Sequence, residues 1–153
     1  MLVFRSRQGS AALSAILAAT GVLLLIGIMI FMIDPPGQLR EARDVQRQTD
    51  IETIMNAIAG YARDNDGHLP FPVTSSPVSI CRSGVNLNCG NLINLNVLTG
   101  AYLRAMPADP KNGTAISTAY TLMWDGTRMT IAAPSAEQEK MIEVMWTVSK
   151  ENP

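Results

Sequence analysis

The two cysteines of the chain, Cys81 and Cys89, stand eight residues apart in the stretch CRSGVNLNC. That spacing is too wide for a C-x-x-C redox motif, and with His68 as the single histidine a zinc site would lack ligands. The chemistry left to them is a disulfide closing a small loop, which requires an oxidising compartment. The stretch DNDG, Asp64 to Gly67, sets two acids beside a glycine and invites a calcium reading. A calcium loop of the EF-hand type needs further oxygen ligands and a bidentate glutamate at its twelfth position, which this sequence does not supply. The stretch reads instead as a capped helix end, and His68 as a loop residue. No nucleophile, base and orienting acid form a recognisable set, and neither a glycine-rich phosphate loop nor a metal-ligand cluster occurs. The sequence therefore predicts a protein that is not an enzyme and has no cofactor.

The densest charges lie between Arg40 and Glu52 in REARDVQRQTDIE. Arg40 with Asp44, and Arg47 with Asp50, fall at helical spacings that allow ion pairs. Their plain reading is a solvated helix face, on which reversing one charge should change stability by less than about 1 kcal/mol. Across the whole chain, 12 basic and 13 acidic residues leave a net charge of −1. That balance shows neither a basic nucleic-acid surface nor an acidic tail.

The elements that must carry these residues begin with the apolar run from Ala11 to Ile33. About 23 residues at roughly 1.5 Å each make a helix of about 34 Å, long enough to cross a hydrocarbon core. The run is too long for the apolar part of a secretory signal peptide, and it ends in Asp34-Pro35-Pro36 rather than a small-residue cleavage site. Arg5 and Arg7 precede it, so the positive-inside rule predicts a cytoplasmic N-terminus and an outward-facing remainder. After the prolines, Gln38 to about Asp66 reads as a second stretch of helix. Its first half is a polar rod. Its later half carries an apolar stripe of Ile51, Ile54, Met55, Ile58, Tyr61 and Ala62 at spacings of three and four. Pro35 and Pro36 predict a bend between the two pieces, Gly67 a C-cap, and Pro70 and Pro72 a stop.

Residues 71–112 are rich in Ser, Asn, Gly and Pro and read as a connector holding one short strand and a helical turn near Asn94 to Leu103. Within it, the prolines of MPADP, Met106 to Pro110, fix a turn that delivers the chain to the first strand of the sheet. Then TAYTLMWDGTRMTIAAP offers two alternating runs joined by Asp125-Gly126, which predicts a type I′ hairpin. Met141 to Val148 alternates again and adds a strand. The expected fold is α+β: a long bent N-terminal helix, half transmembrane and half amphipathic, packed on a small antiparallel sheet.

Taken together, a basic leader ending in Gly9, an apolar helix from Ser10, the continuation ARDVQRQTDIETIMNAIAGYARDNDGHLP, then YLRAMPADP and a terminal hairpin resemble a type IV pilin or a type II secretion pseudopilin. The resemblance covers nearly the whole chain and implies a division into leader 1–9, filament-core helix 10–34 and head 35–153. It implies cleavage between Gly9 and Ser10 by a prepilin peptidase, an anchor in the inner or cytoplasmic membrane, and later polymerisation into an extracellular filament. The implied partners are further copies of the chain, minor pilins, the peptidase and an inner-membrane assembly platform. Adhesion, twitching movement and DNA uptake are what the family does, and the sequence does not choose among them. Two departures stand out: Ser14 occupies the place of the family's usual glutamate, and no proline occurs before Pro35. Assembly register would then come from Ser10, Ser14 and Thr20 hydroxyls or from packing at Gly21 and Gly27. The charges at Arg40, Arg43, Asp44, Arg47 and Asp50 would pair between neighbouring subunits.

Overall fold

The computed structural model describes residues 8–32, 35–82, 88–138 and 141–147. Two helices open the chain, α1 from Gln8–Met32 and α2 from Pro35–Asp64. Four strands follow: β1 at Thr74–Cys81, β2 at Ser117–Trp124, β3 at Arg128–Ala133 and β4 at Ile142–Thr147. A 3-10 turn at Asn96–Leu98 lies in the connector, inside the stretch where a helical turn was expected. The chain divides into two compact units, 1–38 and 39–153.

The first unit is dominated by α1, which has no charged residue in its 25. Its large side chains stand open on every side, from Leu13 and Leu17 to Leu24, Ile28 and Phe31. A helix that is apolar all round, with no protein cover of its own, has the character of a membrane span, and its most apolar window has a mean hydropathy of 2.8 with none of it buried.

The second unit is an α+β domain. The sheet runs β1-β2-β3-β4 with every neighbouring pair antiparallel. Alternation carries the fold: along β2 and β3 every second side chain is buried, so Tyr120, Leu122, Met129 and Ile131 all face inward. They meet the stripe of α2, where Ile51, Ile54 and Ile58 are fully buried, in one core with Ile80, Leu95 and Leu98. Each such side chain contributes about 1.5–3 kcal/mol by leaving water. Tyr102 closes the end of this core. Its ring lies so near α2 that a Cβ on Gly60 would stand 3.2 Å from it, it meets Tyr61 edge-on at 5.8 Å, and its hydroxyl donates to Asp64 Oδ2 at 2.9 Å. The helix ends as expected, with Asp66 and Gly67 at positive φ and the Gly67 N–H returning to the Ala62 carbonyl.

The hairpin departs from expectation in its turn. Asp125 N–H donates to the Arg128 carbonyl, so Gly126 and Thr127 are the two central residues. Only Gly126 of these has positive φ, so the turn is not of type I′, which needs positive φ at both. Asp125 flanks the turn because its carboxylate accepts the N–H groups of Thr127 and Arg128. These bonds hold its pKa down at about 2.

The two sheet edges differ. β1 contains Pro77 and two register shifts, and the connector covers its C-terminal end through a single bridge at Ile93: Cys81 N–H donates to the Ile93 carbonyl and Ile93 N–H to the Ser79 carbonyl. β4 pairs with β3 without interruption from Ile142 to Thr147. Its inward residues, Ile142, Val144 and Trp146, are only partly covered.

Candidate functional site

Stepping along α2 from the apolar stripe toward its start, the next positions on the same face are Asp50 and Arg47, and both are buried. Arg47 is the largest fully buried side chain in the domain. A buried guanidinium requires partners for its donors, and three carboxylates supply them. Arg47 Nε and one terminal nitrogen grip Asp109 at 2.7 and 3.2 Å as a two-pronged pair. The other terminal nitrogen bonds Asp44 at 2.6 Å and Glu137 at 3.2 Å. Glu137 also takes a forked pair of bonds from Arg43 at 2.6 and 2.7 Å, and one from Lys111 at 3.2 Å.

Backbone donors complete the cluster. Asp44 accepts the N–H groups of Glu137 and Gln138. Asp109 accepts those of Lys111 and Asn112 in a turn so tight that a Cβ on Gly113 would stand 2.7 Å from the Asp109 carbonyl oxygen. Beside it, the Tyr120 hydroxyl donates to Asp50 Oδ2 at 2.6 Å. The consequences for protonation follow from these contacts. Burial alone would raise the carboxyls of Asp44 and Asp109, but the arginine and backbone donors outweigh it and hold both below the ordinary value. The Arg43 guanidinium, helped by Lys111 and Arg47, holds Glu137 low as well. The Asp109 carboxylate raises Arg47 despite desolvation. Burial, with the Asp50 carboxylate added to it, raises the Tyr120 phenol.

This geometry corrects the sequence reading. The rod is not a uniformly solvated face: Arg47 and Asp50 are buried, and Arg43 and Asp44 are partly so. Arg47 pairs with Asp44, Asp109 and Glu137, and not with Asp50. Reversing Arg43 would bring a carboxylate against Glu137 and break their forked pair, so it should cost the fold more than a change on a fully solvated face. Arg40, by contrast, is exposed. The pairing partners Asp109, Glu137 and Tyr120 were not picked out from the sequence. MPADP leads into β2 rather than the first strand, since β1 precedes it in the chain, and its acid Asp109 is an anchor of the cluster.

The remaining sites are placed as follows. Gly9 and Ser10 lie in the first turns of α1, and Ser14 is exposed on that helix. Gly21 and Gly27 have open space where a Cβ would be. Thr20 donates its hydroxyl to the Ile16 carbonyl of its own helix at 2.8 Å. Cys81 and Cys89 are joined in a disulfide, with Cα atoms 5.6 Å apart. The leader residues 1–7 lie outside the described residues.

Compared with known proteins, the chain matches no family model, no curated protein and no solved structure. Among the described residues no group of three or more His, Cys, Asp or Glu side chains is arranged to hold a metal ion. The carboxylates that do converge are occupied by arginine and backbone donors, so the cluster's chemistry is that of a structural clamp.

Proposed function

We propose that the chain is a structural subunit of a type IV pilus-like filament, held in the membrane by α1 before assembly and polymerised through it afterwards. One observation carries the reading: α1 is apolar on every face and finds no cover within the chain, so it must be buried in lipid or against other helices. A filament core of bundled helices meets that need without lipid. The small disulfide-bearing head suits an oxidising exterior, which agrees with Arg5 and Arg7 keeping the N-terminus in the cytoplasm. A pseudopilin of a type II secretion system would use the same parts.

The decisive experiment is N-terminal sequencing of the membrane-extracted protein from cells that contain a prepilin peptidase. Cleavage between Gly9 and Ser10 is the expected result, and an intact Met1 removes the main support for assembly. A second reading, an uncleaved single-pass tether carrying a binding module, is favoured by one finding: the charges at Arg43, Asp44 and Arg47 are satisfied inside the head and do not require a neighbouring subunit. The same sequencing separates the two.

A further inference from the structure

Three unfinished features converge on β4. It ends the sheet, so one row of its backbone N–H and C=O groups has no strand beside it among the described residues. Natural sheet edges are protected by prolines, bulges, charges or a covering segment. β1 has a proline, register shifts and a covering segment, whereas β4 runs as six uninterrupted pairs with no proline and the single charge of Glu143. Its inward side chains Val144 and Trp146 are only partly covered, unlike those of β2 and β3. On the outer face Met145 stands 58% exposed beside an apolar groove of about 310 Å³ that Met123, Thr130 and Met141 help to line.

We infer that β4 is the contact between two copies of this chain, paired antiparallel about a twofold axis through Met145 to give one continuous sheet across both heads. Antiparallel pairing must keep inward side chains opposite inward ones, which leaves registers that differ by two residues. The register centred on Glu143 sets two carboxylates directly opposite one another, an unfavourable pair. Centring on Val144 puts Glu143 opposite Met145, whose β3 neighbour is the uncharged Thr130, and sets Arg128 of the second copy two residues out of line. Centring on Met145 sets Glu143 opposite Thr147 and Val144 opposite Trp146, and it extends the half-covered inner face. Thr147 is paired with Arg128 of β3. The carboxylate of Glu143 therefore lies one strand away from Arg128 of the second copy, with only the short Thr147 between them. Arg128 is available for this: its side chain is 52% exposed, and its ion pair to Asp125 is long, at 3.9 Å. The contact is self-complementary, as a twofold interface must be. It needs no other protein, and it does not depend on α1 or on filament assembly.

The test uses the full chain in detergent. Both native cysteines are joined to each other, so Met145→Cys introduces a single free thiol. Mild oxidation should link two Met145→Cys chains in several-fold higher yield than two Met123→Cys chains, although both positions lie on the same face. Equal linking at the two positions, or linking at neither, overturns the proposal, because association through α1 alone does not select Met145. A second arm reads dimer content by sedimentation. Glu143→Arg and Arg128→Glu should each weaken the dimer by roughly two- to fivefold, and the double exchange should restore it. Single exchanges without effect, or a double variant no better than the singles, overturn the assigned register and with it the inference.

Discussion

α1 and the first half of α2 invert the usual relation between sequence and burial. The helix without a charge is the one left bare within the chain, while the most charged stretch contains the largest fully buried side chain of the domain. Composition reports what an environment must supply, not whether the chain supplies it. For α1 the need is an apolar surrounding, and nothing among the described residues supplies it. For Arg47 the need is three carboxylates, and Asp44, Asp109 and Glu137 meet it from inside.

The contrast is broken most severely at Arg47. Arg47→Met leaves Asp109 buried beside no cation, and the loss should be about 3–5 kcal/mol, a magnitude typical of a buried pair broken on one side. Chemical denaturation of the full chain in detergent checks this. The double variant Arg47→Met with Asp109→Asn should recover part of the loss, since it removes the uncompensated charge while leaving an acceptor for the Lys111 and Asn112 N–H groups. A double variant no more stable than the single one would mean that packing, not charge, sets the cost.

A charge placed in α1 should act on the membrane and not on the fold. Val22→Arg sits near the middle of the helix, where an arginine disfavours insertion by about 2.5–3.5 kcal/mol. The expected outcome is a smaller carbonate-resistant fraction in cells with an unchanged denaturation midpoint of the head. A shifted midpoint would show that α1 contributes to the stability of the head.

The disulfide lies between these cases, because it acts mainly on the unfolded chain. Cys81→Ser should lower stability by about 2–3 kcal/mol, the value for so short a loop. Mass spectrometry of alkylated protein with and without reductant checks the bond itself.

Acid should loosen the head more gradually. Asp44, Asp109 and Glu137 have depressed values in the fold, so their stabilising contribution is fully present above their unfolded values, near 3.8 for aspartate and 4.5 for glutamate. It is lost as pH falls below that range and the carboxyls take up protons. The melting temperature should therefore be flat from pH 7 to about 5 and fall below about 4. Asp109→Asn, less stable at pH 7, should show a shallower fall.

Much of the domain was legible because its signals are local. The alternation of Tyr120, Leu122 and Trp124, the stripe from Ile51 to Ala62, and the helix end at Gly67 each reside in a few neighbouring residues. The clamp was not legible, because two of Arg47's three carboxylates lie 62 and 90 residues away, and no local pattern encodes such a pairing. One signal was present nonetheless: continued backward, the three- and four-residue spacing of Ile51, Ile54 and Ile58 lands on Arg47 and Asp50. Charges in phase with an apolar stripe mark a buried polar group. The hairpin turn was misassigned for a related reason. Asp125-Gly126 fits a type I′ turn by backbone preference alone, but the Asp125 side chain is more valuable as an acceptor just outside the turn.

Asp44 and Asp109 hold much of the connecting chain by its main-chain N–H groups, at Glu137, Gln138, Lys111 and Asn112. A grip on the backbone does not depend on which side chain the gripped residue carries. Substitutions at positions 112 and 138 should therefore be tolerated more readily than substitutions at Asp44, Asp109 or Arg47. Loss of one of the three should be better tolerated when the others change with it.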